Sequence, residues 1–154
     1  MCRRRYLAAF GDRVPDGQTP NAAHDSIEEF IMAIRSLVAV VDDDESVRES
    51  LPALLRECGF EVEAFASAEA FLAYESLGET SCLVLDVAMP GMTGPELHQE
   101  LSLRGRTIPA IFITGDADET LRERLLKLGA VECLSKPFSD TALLEALDIA
   151  LKER

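Results

Sequence analysis

Aspartates, a threonine and a lysine stand in this chain where apolar runs end. Asp42 and Asp43 follow Leu37-Val38-Ala39-Val40-Val41, Asp86 follows Cys82-Leu83-Val84-Leu85, Thr114 follows Ile111-Phe112-Ile113, and Lys136 follows Val131–Ser135. Carboxylates a few ångströms apart repel by ~1 kcal/mol in water and ~4 kcal/mol at surface-like dielectric, so gathering three of them calls for a proton or a cation. Hard oxygen ligands with open positions suit Mg²⁺, which keeps waters and accepts phosphate oxygens. A lysine charge and a threonine hydroxyl are the donors needed to hold a phosphoryl group. Whether these residues meet depends on the elements that carry them.

An apolar run without alternation reads as a strand buried on both faces, as in a parallel sheet under helices. Asp86 then lies at a strand's carboxyl end. The Pro90-Gly91 and Thr93-Gly94 pairs force a tight loop after it, and the next helix starts near Pro95. A lone Asp after a strand is more often a turn cap; Asp86 differs in having company.

The rest of the chain alternates in the same manner. Residues 46–58 carry Val47, Leu51, Leu54 and Leu55 at helical spacing, closed by Gly59, with Pro52 inside the pattern and expected to kink it or cost it stability. Glu61–Phe65 is a short strand, and Ser67 caps a helix carrying Phe71, Leu72 and Leu77. A helix over 96–103, a strand over 109–113, a helix over 118–128 closed by Gly129, and a strand over 131–135 follow. Asp140 caps a last helix with Leu143, Leu144, Leu147 and Leu151 in one stripe. Five strands alternating with five helices predict an α/β fold: a doubly wound, five-stranded parallel sheet in order 2-1-3-4-5 with helices on both faces. In such sheets the ligand crevice lies beyond the strands' carboxyl ends, where Asp42, Asp43, Asp86, Thr114 and Lys136 converge.

The chain has 154 residues, of which 47% are hydrophobic, enough for one domain with a real core. Its formal charge of −13 is unevenly spread: residues 37–154 hold 10 Lys and Arg against 23 Asp and Glu, while residues 1–36 balance. An acidic surface repels phosphate backbones and anionic lipid, so no direct nucleic-acid or membrane binding is expected, and a protein partner or cation is favoured. Cys2, Cys58, Cys82 and Cys133 are isolated, with no metal or disulfide spacing, and read as core residues of a reduced compartment. No apolar run reaches the ~20 residues of a membrane span and no signal peptide follows Arg3-Arg4-Arg5, so a cytoplasmic location is expected. Residues 1–36 read as a flexible leader with a short helix from Ser26, and residues 1–31 of it are expected to be dispensable for folding; alternatively the natural chain starts at Met32.

With Asp42-Asp43, Leu85-Asp86, Met89-Pro90-Gly91-Met92-Thr93-Gly94, Ile113-Thr114-Gly115 and Lys136-Pro137-Phe138 in this order, residues 37–154 resemble a two-component response-regulator receiver domain of the CheY-like kind. The Ala-Glu-Ala-Phe-Leu, Ile-Thr-Gly and Gly-Ala-Val-Glu elements are most similar to FixJ-type receivers. The resemblance implies that Asp86 accepts a phosphoryl group from a sensor histidine kinase. It also implies that Asp42, Asp43, Asp86 and the backbone carbonyl of Ala88 hold Mg²⁺, and that Lys136 and Thr114 contact the phosphoryl oxygens. Output would pass to a downstream protein target, with a phosphorylation-dependent homodimer allowed and no DNA-binding output domain expected before the chain stops at Arg154. Asp44 reads as a helix cap or a solvated charge, a weak ligand candidate. His98 reads as a solvated side chain. Cys133 occupies the place where similar receivers carry an aromatic that moves with the threonine, so this part of the switch is expected to be weakened.

Two other classes compete. A haloacid-dehalogenase-like phosphohydrolase also uses an Asp nucleophile with Mg²⁺, Thr and Lys, but needs a second Asp two residues on, where this chain has Ala88. A flavodoxin-like FMN binder needs a Gly/Ser/Thr-rich phosphate loop after the first strand, where this chain is acidic. A phosphoacceptor switch, rather than an enzyme acting on small molecules, is the expectation.

Overall fold

A computed structural model describes residues 36–74, 77–115 and 118–152. Residues 1–35 of the predicted leader, with nearly all of its helix from Ser26 and the Met32 start, lie outside the described residues, as does Cys2.

The apolar runs form β1 (Leu37–Val41), β2 (Glu61–Phe65), β3 (Thr80–Asp86), β4 (Ala110–Thr114) and β5 (Glu132–Ser135). All pair in parallel, in the order β2-β1-β3-β4-β5. Helices α1 (Glu45–Glu57), α2 (Ala68–Leu72), α3 (Gly94–Leu103), α4 (Glu119–Lys127) and α5 (Asp140–Lys152) connect them. Strand pleating sends alternate residues to opposite faces, which accounts for two hydrophobic layers. Val38, Val40, Cys82, Val84, Ile111 and Ile113 pack under α1 and α5, through Leu51, Leu55, Leu143 and Leu147. Ala39, Val41, Leu83, Leu85, Phe112 and Cys133 pack under α2, α3 and α4, through Phe71, Leu97, Leu101 and Leu125. Each such Leu or Phe, fully buried, contributes roughly 1.5–3 kcal/mol.

The predicted doubly wound sheet, its order and its two helical layers are therefore present. Two local expectations need correction. The helix carrying Phe71 ends at Leu72, and Leu77 belongs instead to a 3₁₀ turn over Leu77–Glu79. Phe65, Phe71 and Tyr74 gather there, with ring centroids 5.3 and 5.1 Å from Phe65, so aromatic packing rather than helix length anchors this segment. The last helix is capped by Ser139, whose Oγ accepts from Ala142 N–H at 3.0 Å, while Asp140 already lies inside it. Pro52 is buried inside α1, which runs on past it to Glu57. Cys58, Cys82 and Cys133 are buried thiols, as expected.

Candidate functional site

Register brings the run ends together. Val41 pairs with Leu85, Asp86 with Ile113 and Thr114 with Ser135, so Asp42, Asp86, Thr114 and Lys136 emerge at one edge of the sheet. Its backbone is tied across: Asp42 N–H donates to Phe65 O, Val87 N–H to Ile113 O and Lys136 N–H to Thr114 O, at 2.8 to 3.1 Å.

Ligand oxygens from Asp42, Asp43 and Asp86 lie within 4.8 Å of one another. Asp42 is fully buried and Asp86 nearly so, while Asp43 is exposed, which leaves the cluster open on one side. Lys136 Nζ lies 3.2 Å from Asp42 Oδ2 and 3.9 Å from Asp86 Oδ1. Asp42 Oδ1 also accepts from Asp44 N–H at 2.9 Å, and Arg48 donates to the Asp42 carbonyl at 3.0 Å. Asp44 caps α1, its Oδ1 accepting from the Ser46 hydroxyl and from Ser46 N–H, and these bonds, the hydroxyl's first, lower its pKa.

Burial first, and then the charge of Asp42, push the Asp86 carboxyl up to about 7 against the opposing pull of Lys136; Asp43 adds to the rise. A carboxyl held this way binds a proton or a cation readily. Three hard oxygen donors with an open side, one of them favouring partial neutralisation, form a donor set that fits Mg²⁺.

The loop after Asp86 is held at both ends. Gly94 N–H donates to Val87 O at 3.1 Å, and a Cβ at Gly94 would collide with the backbone carbonyl oxygen of Asp86, so only glycine fits. Thr93 and Glu96 then form a capping box that starts α3, with Pro95 in its first turn. Ala88 is exposed on this loop. Thr114 is buried at the end of β4.

Some neighbours carried no signal in the sequence. His98 is not a solvated side chain: it is half-buried, its ring 5.9 Å from that of Phe112, and burial lowers its pKa. Cys133 is buried opposite Phe112, and Glu132 beside it accepts from both Cys133 N–H and Arg122, the latter tying α4 to β5. Glu69 Oε1 accepts from Met92 N–H at 3.0 Å, joining α2 to the loop after Asp86. The meetings of His98 with Phe112, of Cys133 with Phe112 and of Glu69 with Met92 join distant parts of the chain, which local periodicity does not record.

Residues 38–148 match the family model described as response regulator receiver domain. Nodulation protein W of Bradyrhizobium diazoefficiens is 48% identical over 120 residues, covering 78% of this chain and 52% of that protein. Transcriptional regulatory protein FixJ of Rhizobium meliloti is 43% identical over 113 residues, covering 73% of this chain and 55% of that one. The chain thus spans about half the length of the curated relatives it matches. Among solved structures, FixJ-N superposes with a TM-score of 0.70 at 41% identity, over 77% of this chain and 95% of that one. Sequence, sheet order and acidic cluster agree, and the chain belongs to the response regulator receiver domain family of two-component systems, in its CheY-like, FixJ-type branch.

Proposed function

We propose that residues 37–154 work as a phosphoacceptor switch, with Asp86 as the acceptor. An Asp86 carboxylate oxygen attacks the phosphorus of a phosphohistidine on a sensor histidine kinase. The new O–P bond forms as the P–N bond breaks, and the imidazole leaves with its electron pair. Asp86 must be ionised to attack, and its raised pKa means that it needs help to lose its proton. Bound Mg²⁺, held by Asp42, Asp43, Asp86 and the Ala88 carbonyl, would supply positive charge for that ionisation and for the phosphoryl oxygens. Lys136 offers a second cation to the same oxygens, and Thr114 a hydroxyl donor.

The phosphorylated chain then acts on a downstream protein target, in the cytoplasm. A homodimer formed on phosphorylation is compatible with this output. Among the described residues no helix is long and apolar enough to cross a membrane. Ala88 stands where a phosphohydrolase would need its general acid, which favours a lasting phosphoryl group over turnover.

The observation that carries this reading is the cluster of three carboxylates beside Lys136. Intact-mass spectrometry after treatment with acetyl phosphate and Mg²⁺ tests it. One added phosphoryl group is expected in the wild type and none in Asp86→Asn. A variant that still gains the group would place the acceptor elsewhere.

A further inference from the structure

The loop between Val87 and Thr93 is fixed at its base by Val87, midway by the buried Met89 and at its exit by the Thr93 cap. Its crest, Pro90 and Gly91, is exposed. There a residue from another element intervenes. Glu69 Oε1 accepts from Met92 N–H at 3.0 Å, and the same oxygen lies 3.0 Å from where a Cβ on Gly91 would be. Gly91 has φ +74°, a conformation that other residues adopt with strain, so the crest is both turned and kept bare beneath the carboxylate.

Glu69 is well supported for this task. It sits in the first turn of α2, which Ser67 caps and which Phe71 fastens by packing against Phe65. A carboxylate accepting from a backbone N–H makes one of the stronger classes of hydrogen bond. The buried Met89 side chain can hold its place while the main chain around it pivots; a second attachment beyond the crest removes that pivot.

We propose that Glu69 is a positioning residue for the acceptor loop. Through Met92 N–H its carboxylate fixes the crest, and with it the peptide at Ala88 that precedes Met89. The inference rests on the reading of Asp86 and the Ala88 carbonyl given above, since the effect is to hold the proposed carbonyl ligand in place.

Two substitutions separate the tether from the mere charge of Glu69. Glu69→Gln keeps an oxygen acceptor for Met92 N–H and loses the charge, whereas Glu69→Ala loses both. Calorimetric titration with Mg²⁺ of the full chain should show binding weakened about tenfold in Glu69→Ala, the lower end of what removing a group that orients a metal ligand costs, and largely retained in Glu69→Gln. Hydrogen exchange at the Met92 amide should accelerate only in Glu69→Ala, whose melting temperature falls by no more than a few degrees, so that both variants stay folded during the titration. Wild-type affinity in Glu69→Ala, or Glu69→Gln as weak as Glu69→Ala, would overturn the inference alone. A wild-type chain that takes up no Mg²⁺ would overturn the metal reading and the inference with it.

Discussion

Lys136 Nζ stands nearer to Asp42 than to Asp86, 3.2 Å against 3.9 Å, so its closest partner is the fully buried carboxylate rather than the proposed acceptor. In the unphosphorylated chain the lysine therefore neutralises Asp42 first. Lys136→Met leaves Asp42 buried without its cation and should cost about 1–3 kcal/mol in urea unfolding, with Mg²⁺ recovering part of the loss. Unchanged stability would mean that the lysine is held by other contacts and is not needed to offset the cluster.

The Asp86 carboxyl gives a pH signature of known sign. Its folded pKa, raised to about 7 from an ordinary 3.8, means that the native chain binds this proton more tightly than the unfolded one. Its contribution to stability is fully present below the ordinary value and is lost as pH rises through about 7. Without Mg²⁺, the wild type should thus lose stability relative to Asp86→Asn between about pH 4 and about pH 7. Mg²⁺ needs the ionised carboxylate, so its affinity should rise over the same window. Parallel stability curves for the two proteins would assign the titration to another group.

Gly94→Ala probes the closeness of α3 to the acceptor strand. The added Cβ meets the Asp86 backbone carbonyl oxygen, which cannot swing aside as a flexible side chain would. A loss of about 1–3 kcal/mol is expected from overpacking, together with slower acetyl phosphate labelling of Asp86. Labelling at the wild-type rate would show that the loop relaxes without disturbing Asp86.

Cys133 offers a test of switching. It is buried opposite Phe112 in the layer that also holds Leu125 and Ala130, where a thiol has no two-position preference comparable to an aromatic ring. A small gap between states predicts partial activation even without phosphate. Cys133→Tyr should lower stability by about 1–3 kcal/mol, because the ring exceeds the space, while enlarging the beryllofluoride-dependent dimer fraction in ultracentrifugation. Equal dimer fractions in the two proteins would remove position 133 from the switch.

Local sequence suffices where one signal dominates. The apolar run at 37–41 forms β1 as expected, the strand expected over 109–113 forms one residue later as Ala110–Thr114, and Asp44 precedes α1 as a cap. It falls short where two signals compete. Ser139 and Asp140 are both good caps, and the first of them takes the role. Leu72 and Leu77 fit one helical stripe, but Phe71 and Tyr74 fold onto Phe65 and the helix ends at Leu72. His98 is polar by type and half-buried by position, because the side of α3 that carries it faces Phe112.

By itself the sequence determined the layers, the strand order and the presence of acids at the strands' carboxyl ends. Periodicity sets which runs are buried, and short crossovers of one hand leave few topologies. Only the tertiary structure decided how those acids are partnered. Lys136 meets Asp42 across 94 positions and Glu69 meets Met92 across 23, pairings that depend on sheet order and helix placement. The raised pKa of Asp86 belongs to the same class, since burial and the charge of Asp42 act through space. Local sequence carries turn and helix preferences over a few residues, whereas a carboxylate's charge responds to whatever the fold brings within a few ångströms of it.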